Sequence, residues 1–389
     1  MSITAEPAHS QAPRRAGLRR MFTAPASWVR ACDTGLAVAA TAVIVTGLFV
    51  VLGYPPGTVY PTMLRASLSG PGLVTTVQQA IPVIGLGLAL SFCFRAGQFN
   101  LGGDGQFVAG GLAGTVVALY LPGPGWIAIA VALVAAAAGG ALAATASALA
   151  FTRFEAPVFA TSLLLNFPII ALTSYLINTA LADPASKRDA TASIPADRRV
   201  AALVPRDSAG HDLLESWFGS GNVLTLLAAG VNWSVLVVAT VFVICVFVNN
   251  RLPIGYETAL IGLNPRLAAG VGVRTGRAVV VNMATGGAIA GLVGVLVVLG
   301  SHFRLIDGGL NGTGFAITAL LVVLLARTSP VAVVLAGFLF TALGVGAAQL
   351  ERDYGLSSYV STVVQALVVF LVSLQLTPAA LVRRWGVRR

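Results

Sequence analysis

Charge is scarce in this chain. Of its 389 residues only 10% are Asp, Glu, Lys or Arg, while 57% are hydrophobic. A soluble domain carries about 25% charged residues, so this composition excludes a surface that faces water over most of the chain. Lysine is reduced to one, Lys187. A P-loop needs a lysine behind its glycines to reach phosphate, so ATP binding by that device is excluded. Histidine is limited to His9, His211 and His302, and no G-x-S-x-G, H-E-x-x-H or paired intramembrane aspartates occur. Hydrolytic, metalloprotease and intramembrane-protease chemistry therefore lack their residues. Cys32, Cys93 and Cys245 have no paired spacing, which argues against a metal or disulfide framework and leaves them as small apolar residues.

Long apolar runs are what the chain has instead, with a mean hydropathy of +0.87. A transmembrane helix needs about 20 apolar residues. Windows of that size predict spans near 34–54, 72–94, 101–121, 125–151, 157–181, 223–249, 277–300, 314–326, 330–349 and 358–376. The expected fold is an all-α polytopic membrane protein of about ten transmembrane helices, some of them broken. The first run follows a basic segment without a clear cleavage site, so it reads as a retained helix and not a signal peptide.

The net charge of +10 does not form an aromatic-laced patch of the kind that binds nucleic acid. It follows the positive-inside rule instead. With both termini cytoplasmic, sixteen of the twenty-four basic residues lie inside, counting Arg14 to Arg30, Arg383 to Arg389 and the intervening inner loops. The expected organisation is a basic cytoplasmic tail at 1–33, a transmembrane domain at 34–376 and a second basic tail at 377–389. The 182–222 segment, rich in Asp, Arg and Pro, reads as an external loop with a short helix from His211 to Trp217.

Within the spans, Asp104 is the one carboxylate that could serve ion coupling. The remaining polar groups are amides, among them Gln78, Gln79, Gln106, Asn166, Asn178, Asn282, Gln349 and Gln365. Such a set suits a neutral polar solute, or else holds helices together by hydrogen bonds. The run FCFRAGQFNLGGDGQF (92–107) interrupts two apolar stretches with four glycines, and GGLNGTGF (308–315) does the same before the short eighth span. Non-helical backbone at membrane depth is tolerated only where it is packed in protein or lines a wet cavity. Two such breaks in corresponding halves fit an inverted repeat around a pathway, with ordinary Gly-rich packing as the alternative. Asn100, Asp104, Gln106 and Asn166, with Gly312 and Phe315 of the second break, are the candidate pathway residues.

The longest inner loop, 249–277, predicts a short helix from Gly255 to Leu263. Asn264–Pro265 then gives a cap-and-first-turn signal for a second helix, Arg266 to Ala269. A short helix held against the cytoplasmic face is what a partner's groove would grip.

Four motifs in order carry a family resemblance. GLALSFCFRAGQFNLGGDGQF resembles the F-x-F-R-A-G-x-F-N-I-G-x-E-G-Q signature of bacterial ABC-importer permeases for nucleosides and simple sugars, part of a broader group with ribose and branched-chain amino acid permeases. LLLNFPIIALTSYLIN is similar to that family's M-L-N-Y segment. IGYETALIGLNPRLAAGVGV resembles its cytoplasmic loop, and GTGFAITALLVVLLARTSP its G-x-G-F segment. Asp104 departs from the usual Glu, and Glu155–Ala156–Pro157 from an Asn-Glu-Val.

The resemblance implies a plasma-membrane permease subunit, itself without ATP or another cofactor. Its implied partners are a cytoplasmic ABC ATPase, a second permease subunit, an extracytoplasmic solute-binding lipoprotein and membrane lipid, with no nucleic acid. It further implies that loop 250–276 is the coupling loop, with Gly255, Glu257, Asn264, Ala268 and Ala269 facing the ATPase. A nucleoside is the favoured solute and a simple sugar the next. A stand-alone carrier or channel for a small polar solute is the alternative.

Overall fold

The computed structural model describes residues 42–47, 49–51, 53–186, 189–355 and 359–373. The predicted tails 1–33 and 377–389, and the start of the first predicted span, lie outside them. Two units are distinguished, one formed by Tyr54–Ala366 and the other by the end segments Met1–Gly53 and Leu367–Arg389. In the latter, Ala42–Val51 is an apolar helix.

The larger unit is helical, and its described residues carry isolated β-bridges but no strand. Its elements run α1 (Pro56–Leu68), α2 (Gly70–Arg95), α3 (Gly103–Tyr120), α4 (Gly125–Phe154), α5 (Val158–Asn178), α6 (Ala209–Phe218), α7 (Val223–Gly230) and α8 (Ser234–Arg251). They continue as α9 (Pro253–Leu263), α10 (Pro265–Gly270), α11 (Thr275–Val297), α12 (Phe315–Ala326), α13 (Pro330–Tyr354) and α14 (Tyr359–Ser373), whose last turns belong to the other unit. Six of the described helices are long and apolar enough to cross a membrane: α2, α4, α5, α8, α11 extended to His302, and α13. α12, with 12 residues, is the short apolar helix expected at 314–326.

α11 is the central post, packed against α2, α3 and α4. Lipid tails are as apolar as leucine, so helices associate through close packing and not through hydrophobic burial. Glycines supply the closeness here. A Cβ on Gly140 of α4 would strike the Gly287 carbonyl, one on Gly291 the Ala136 carbonyl, and one on Gly294 the Phe107 carbonyl. Alanine at any of these contacts forces backbones apart, at a cost of about 1–3 kcal/mol. Around this seam, Cys93, Ala144, Ala148, Val279 and Met283 form one buried apolar cluster.

The 223–249 run does not form one helix. It splits into α7 and α8 because Asn232 turns its side chain to the backbone. Asn232 Oδ1 accepts from the Ser234 N–H at 3.1 Å, and Nδ2 donates to the Gly300 carbonyl at 2.8 Å. Gly300 lies in the π turn that closes α11, Val298–His302, and the last carbonyls of a helix have no partner within it.

The segment after α5 lies as an extended strap along the same turn. Thr191 N–H bonds Leu305 O at 2.9 Å, Ile194 N–H bonds Phe303 O at 2.8 Å, and Val200 N–H bonds Leu299 O at 3.0 Å. Arg198 Nη1 donates to Ala118 O at 2.9 Å and lies 3.4 Å from Leu119 O, covering carbonyls at the end of α3 that have no helical partner. The helix predicted at 211–217 is α6, whose Ser208 side chain accepts from the His211 N–H.

Candidate functional site

The first break is the seven-residue gap between α2 and α3, from Ala96 to Gly102. Leaving a helix inside an apolar bundle strands N–H and C=O groups, each expensive without a partner. Side-chain amides satisfy them here. Asn100 and Gln106, both buried, form a reciprocal pair in which each Nδ2 or Nε2 donates to the other's oxygen at 3.1 Å. Asn100 Oδ1 also accepts from the Gly102 N–H at 2.9 Å.

Asn166 of α5 reaches across to the same gap. Its Oδ1 accepts from the Gly105 N–H at 2.9 Å and its Nδ2 donates to the Leu101 carbonyl at 3.0 Å. Ser162, one turn earlier on α5, accepts from the Leu101 N–H at 3.0 Å. Three of the six predicted pathway residues thus belong to one closed network that builds the start of α3. Asp104 sits half-buried in the first turn of α3, where the helix dipole favours a negative charge.

Gly312 and Phe315 lie elsewhere. They line a half-open cavity of about 450 Å³ with Gln79 of α2, Thr318 and Leu321 of α12, Phe340 and Thr341 of α13, and Tyr359 and Gln365 of α14. Gln365 Nε2 donates to the Phe340 carbonyl at 2.9 Å, which fixes the orientation of its amide. The lining contains amides, hydroxyls and aromatic rings and no Asp, Glu, Lys or Arg. The first turns of α3 and α12 approach each other, since a side chain added at Gly103 would touch the Ala316 methyl at 3.6 Å.

Sequence reading singled out Gln79 and Gln365 as intramembrane amides. Thr318, Thr341 and the α5 residues Ser162 and Ser174 went unnoticed, because a hydroxyl in an apolar run is indistinguishable from one bonded to its own helix.

The loop between α8 and α11 folds into the two short helices expected. Asn264 caps α10, with Oδ1 accepting from the Arg266 and Leu267 N–H groups at 3.1 Å each. Ala268 is buried with Ile261 and Ala278, while Ala269 is exposed. Gly255 is buried against the end of α8, where a Cβ would strike the Val248 carbonyl. Glu257 lines a cleft of about 630 Å³ with Arg274 and Arg277.

Outward, α9 and α10 present Leu263 (83% exposed), Tyr256 (70%) and Leu267 (54%). Inward, α9 is fixed twice. Thr258 Oγ1 lies 3.1 Å from Asn282 Oδ1 of α11, and Gly262 packs on the Arg95 carbonyl and the Gly97 backbone of the first break.

An all-helical bundle with six described helices long and apolar enough to cross a membrane is the architecture of a polytopic membrane protein. Comparison gives the family. Residues 72–373 match the model described as "Branched-chain amino acid transport system / permease component", and the chain belongs to that family of multi-pass plasma-membrane transport components. It is 28% identical over 342 residues to the guanosine ABC transporter permease protein NupP of Bacillus subtilis, covering 87% of this chain and 90% of that one. It is 30% identical over 353 residues to the glucose ABC transporter permease protein TsgB13 of Haloferax volcanii, covering 90% and 89%. The nucleoside ABC transporter permease protein NupB of Lactococcus lactis is 24% identical over 336 residues, covering 84% and 86%. No solved structure matches.

Proposed function

We propose that this chain is the membrane-spanning permease subunit of an ABC importer that moves a neutral polar solute inward. It works with a separate ABC ATPase, a second permease subunit and an extracytoplasmic solute-binding lipoprotein. Ten crossings, completed by the 34–54 segment, α3, α12 and α14, place both ends in the cytoplasm. The supporting observation is the placement of α9 between the exposed Tyr256–Leu263–Leu267 face and the first break. A push from an ATPase on that face reaches Arg95 and Gly97 through Gly262 and reaches α11 through Thr258.

The uncharged cavity supports a solute with hydroxyl, carbonyl and ring nitrogen groups. Amides and threonines exchange hydrogen bonds with such groups, and the aromatic side chains Phe315 and Tyr359 suit a planar ring. A nucleoside is the favoured solute and a simple sugar the second, in line with the names of the relatives. The test is uptake of labelled guanosine and glucose by the complete complex, with Gln79→Ala and Thr318→Val as cavity variants. The reading expects KM for the transported solute to rise several-fold at normal expression. Unchanged KM in both variants would remove the cavity from the pathway.

A further inference from the structure

α5 grips both breaks. Near its start, Ser162 and Asn166 hold Leu101 of the first break and Gly105 in the first turn of α3. About 12 Å further along the axis, eight residues at 1.5 Å each, it holds the second. Ser174 Oγ donates to Asp307 Oδ1 at 2.6 Å, and Asn178 Nδ2 donates to Asp307 Oδ2 at 3.0 Å. Asp307 belongs to the connection between the π turn and α12, and its own N–H donates to the Asp189 carbonyl of the strap after α5 at 2.9 Å. Between the two grips α5 contains Pro168, which has no N–H for the Leu164 carbonyl and weakens the helix there.

The two grips differ in kind. Ser162 and Asn166 are buried, whereas Asp307 and Ser174 are half-buried and Asn178 is exposed. Water can therefore replace the outer bonds, because the released Asp307 carboxylate can be hydrated, whereas opening the inner grip would leave buried groups without partners. The carboxylate is held by neutral donors, and among the described residues it forms no ion pair. The segment it anchors is bounded by Gly308 and Gly314, both at φ 71°, a conformation that lets backbone turn without a Cβ clash. Gly312, between them, lines the cavity.

We propose that the Asp307–Ser174–Asn178 clasp is a latch that opens and recloses in each transport cycle, freeing the second break from the outer half of α5 while the inner grip stays shut. Asp307, Ser174 and Asn178 are then positioning residues, acting on the solute through Gly312 and Phe315. The proposal rests on the transport reading above.

The experiment locks the latch. In the complete complex carrying Cys32→Ser, a Ser174→Cys/Asp307→Cys pair is joined by a short bis-methanethiosulfonate, which links through reducible disulfides, with each single cysteine variant as control; Cys93 and Cys245 are buried. The latch predicts that uptake falls to background on crosslinking and returns on reduction, while the single variants are unaffected by the reagent. A crosslinked complex that transports at the uncrosslinked rate overturns it. If loss of the Asp307 carboxylate prevents folding, a second variant decides. Ser174→Ala/Asn178→Ala carrying a Gly312→Cys reporter is expected to react several-fold faster with a membrane-impermeant maleimide than the reporter alone. An unchanged rate overturns the latch. A well-folded, uncrosslinked complex without ATP-dependent uptake counts against the transport reading instead, and the reporter rate still decides the latch.

Discussion

Gly262→Ala is the sharpest probe of how force crosses this molecule. The added methyl would lie well inside van der Waals contact of the Arg95 carbonyl and close to the Gly97 backbone. Backbone cannot step aside as a flexible side chain can, so α9 must withdraw from the first break. Overpacking of this kind costs about 1–3 kcal/mol, equivalent to about 5- to 150-fold in the ratio of docked to displaced α9. The bundle itself does not depend on that contact, so insertion and thermal stability of the membrane domain should be near normal. In reconstituted complex, solute-stimulated ATP hydrolysis and uptake should separate, with uptake per ATP reduced at least 5-fold. Gly270→Ala is the control, because nothing lies within 4 Å of the added methyl, and it should transport normally. Wild-type uptake per ATP in Gly262→Ala would refute the idea that α9 acts through the first break.

Asn166→Ala strands the buried Gly105 N–H and Leu101 carbonyl, each costing about 1–3 kcal/mol. Its melting temperature in detergent should fall by several degrees, and an unchanged melt would deny the amide its structural role. Leu263→Glu with Leu267→Glu places charge on the exposed face of α9 and α10 and should abolish co-purification with the ATPase while leaving membrane insertion intact. Retained co-purification would move the docking face elsewhere. Arg198→Ala uncovers the Ala118 and Leu119 carbonyls at the end of α3 and removes a charge-assisted bond of about 1.5–3 kcal/mol. Faster amide exchange at the last turn of α3 is expected, and unchanged protection would show that water covers those carbonyls equally well.

Where a feature depends on neighbours in sequence, the sequence displays it. The glycines of 97–105, the cap signal Asn264–Pro265 and the short run 314–326 all mark local events, and the chain breaks, caps and shortens at those places. Features that depend on distant partners are not displayed. Asn232 looks like a tolerated amide in an apolar run, yet it splits α7 from α8 because Gly300, 68 positions away, offers a carbonyl. The strap after α5 reads as a loop because its partners are the backbone groups of Leu299, Phe303 and Leu305. α1 escaped notice because its apolar residues are too few to form a span-like window. Among the candidate pathway residues, the amides were visible as polar groups in lipid. Whether each faced a cavity or a neighbouring backbone turned on contacts some 61 residues apart, such as Asn166 with Gly105.

The central claim is that this chain moves solute only under the drive of a separate ATPase. Among the described residues the cavity lining carries no carboxylate or histidine, the groups that ion-coupled carriers place in their pathways. The direct measurement reconstitutes the chain in proteoliposomes with and without its ATPase and binding protein, and follows labelled nucleoside. The account predicts concentrative uptake that requires the ATPase and ATP hydrolysis and persists when a protonophore collapses the proton gradient. Accumulation by the chain alone, driven by an imposed proton or sodium gradient, would contradict it.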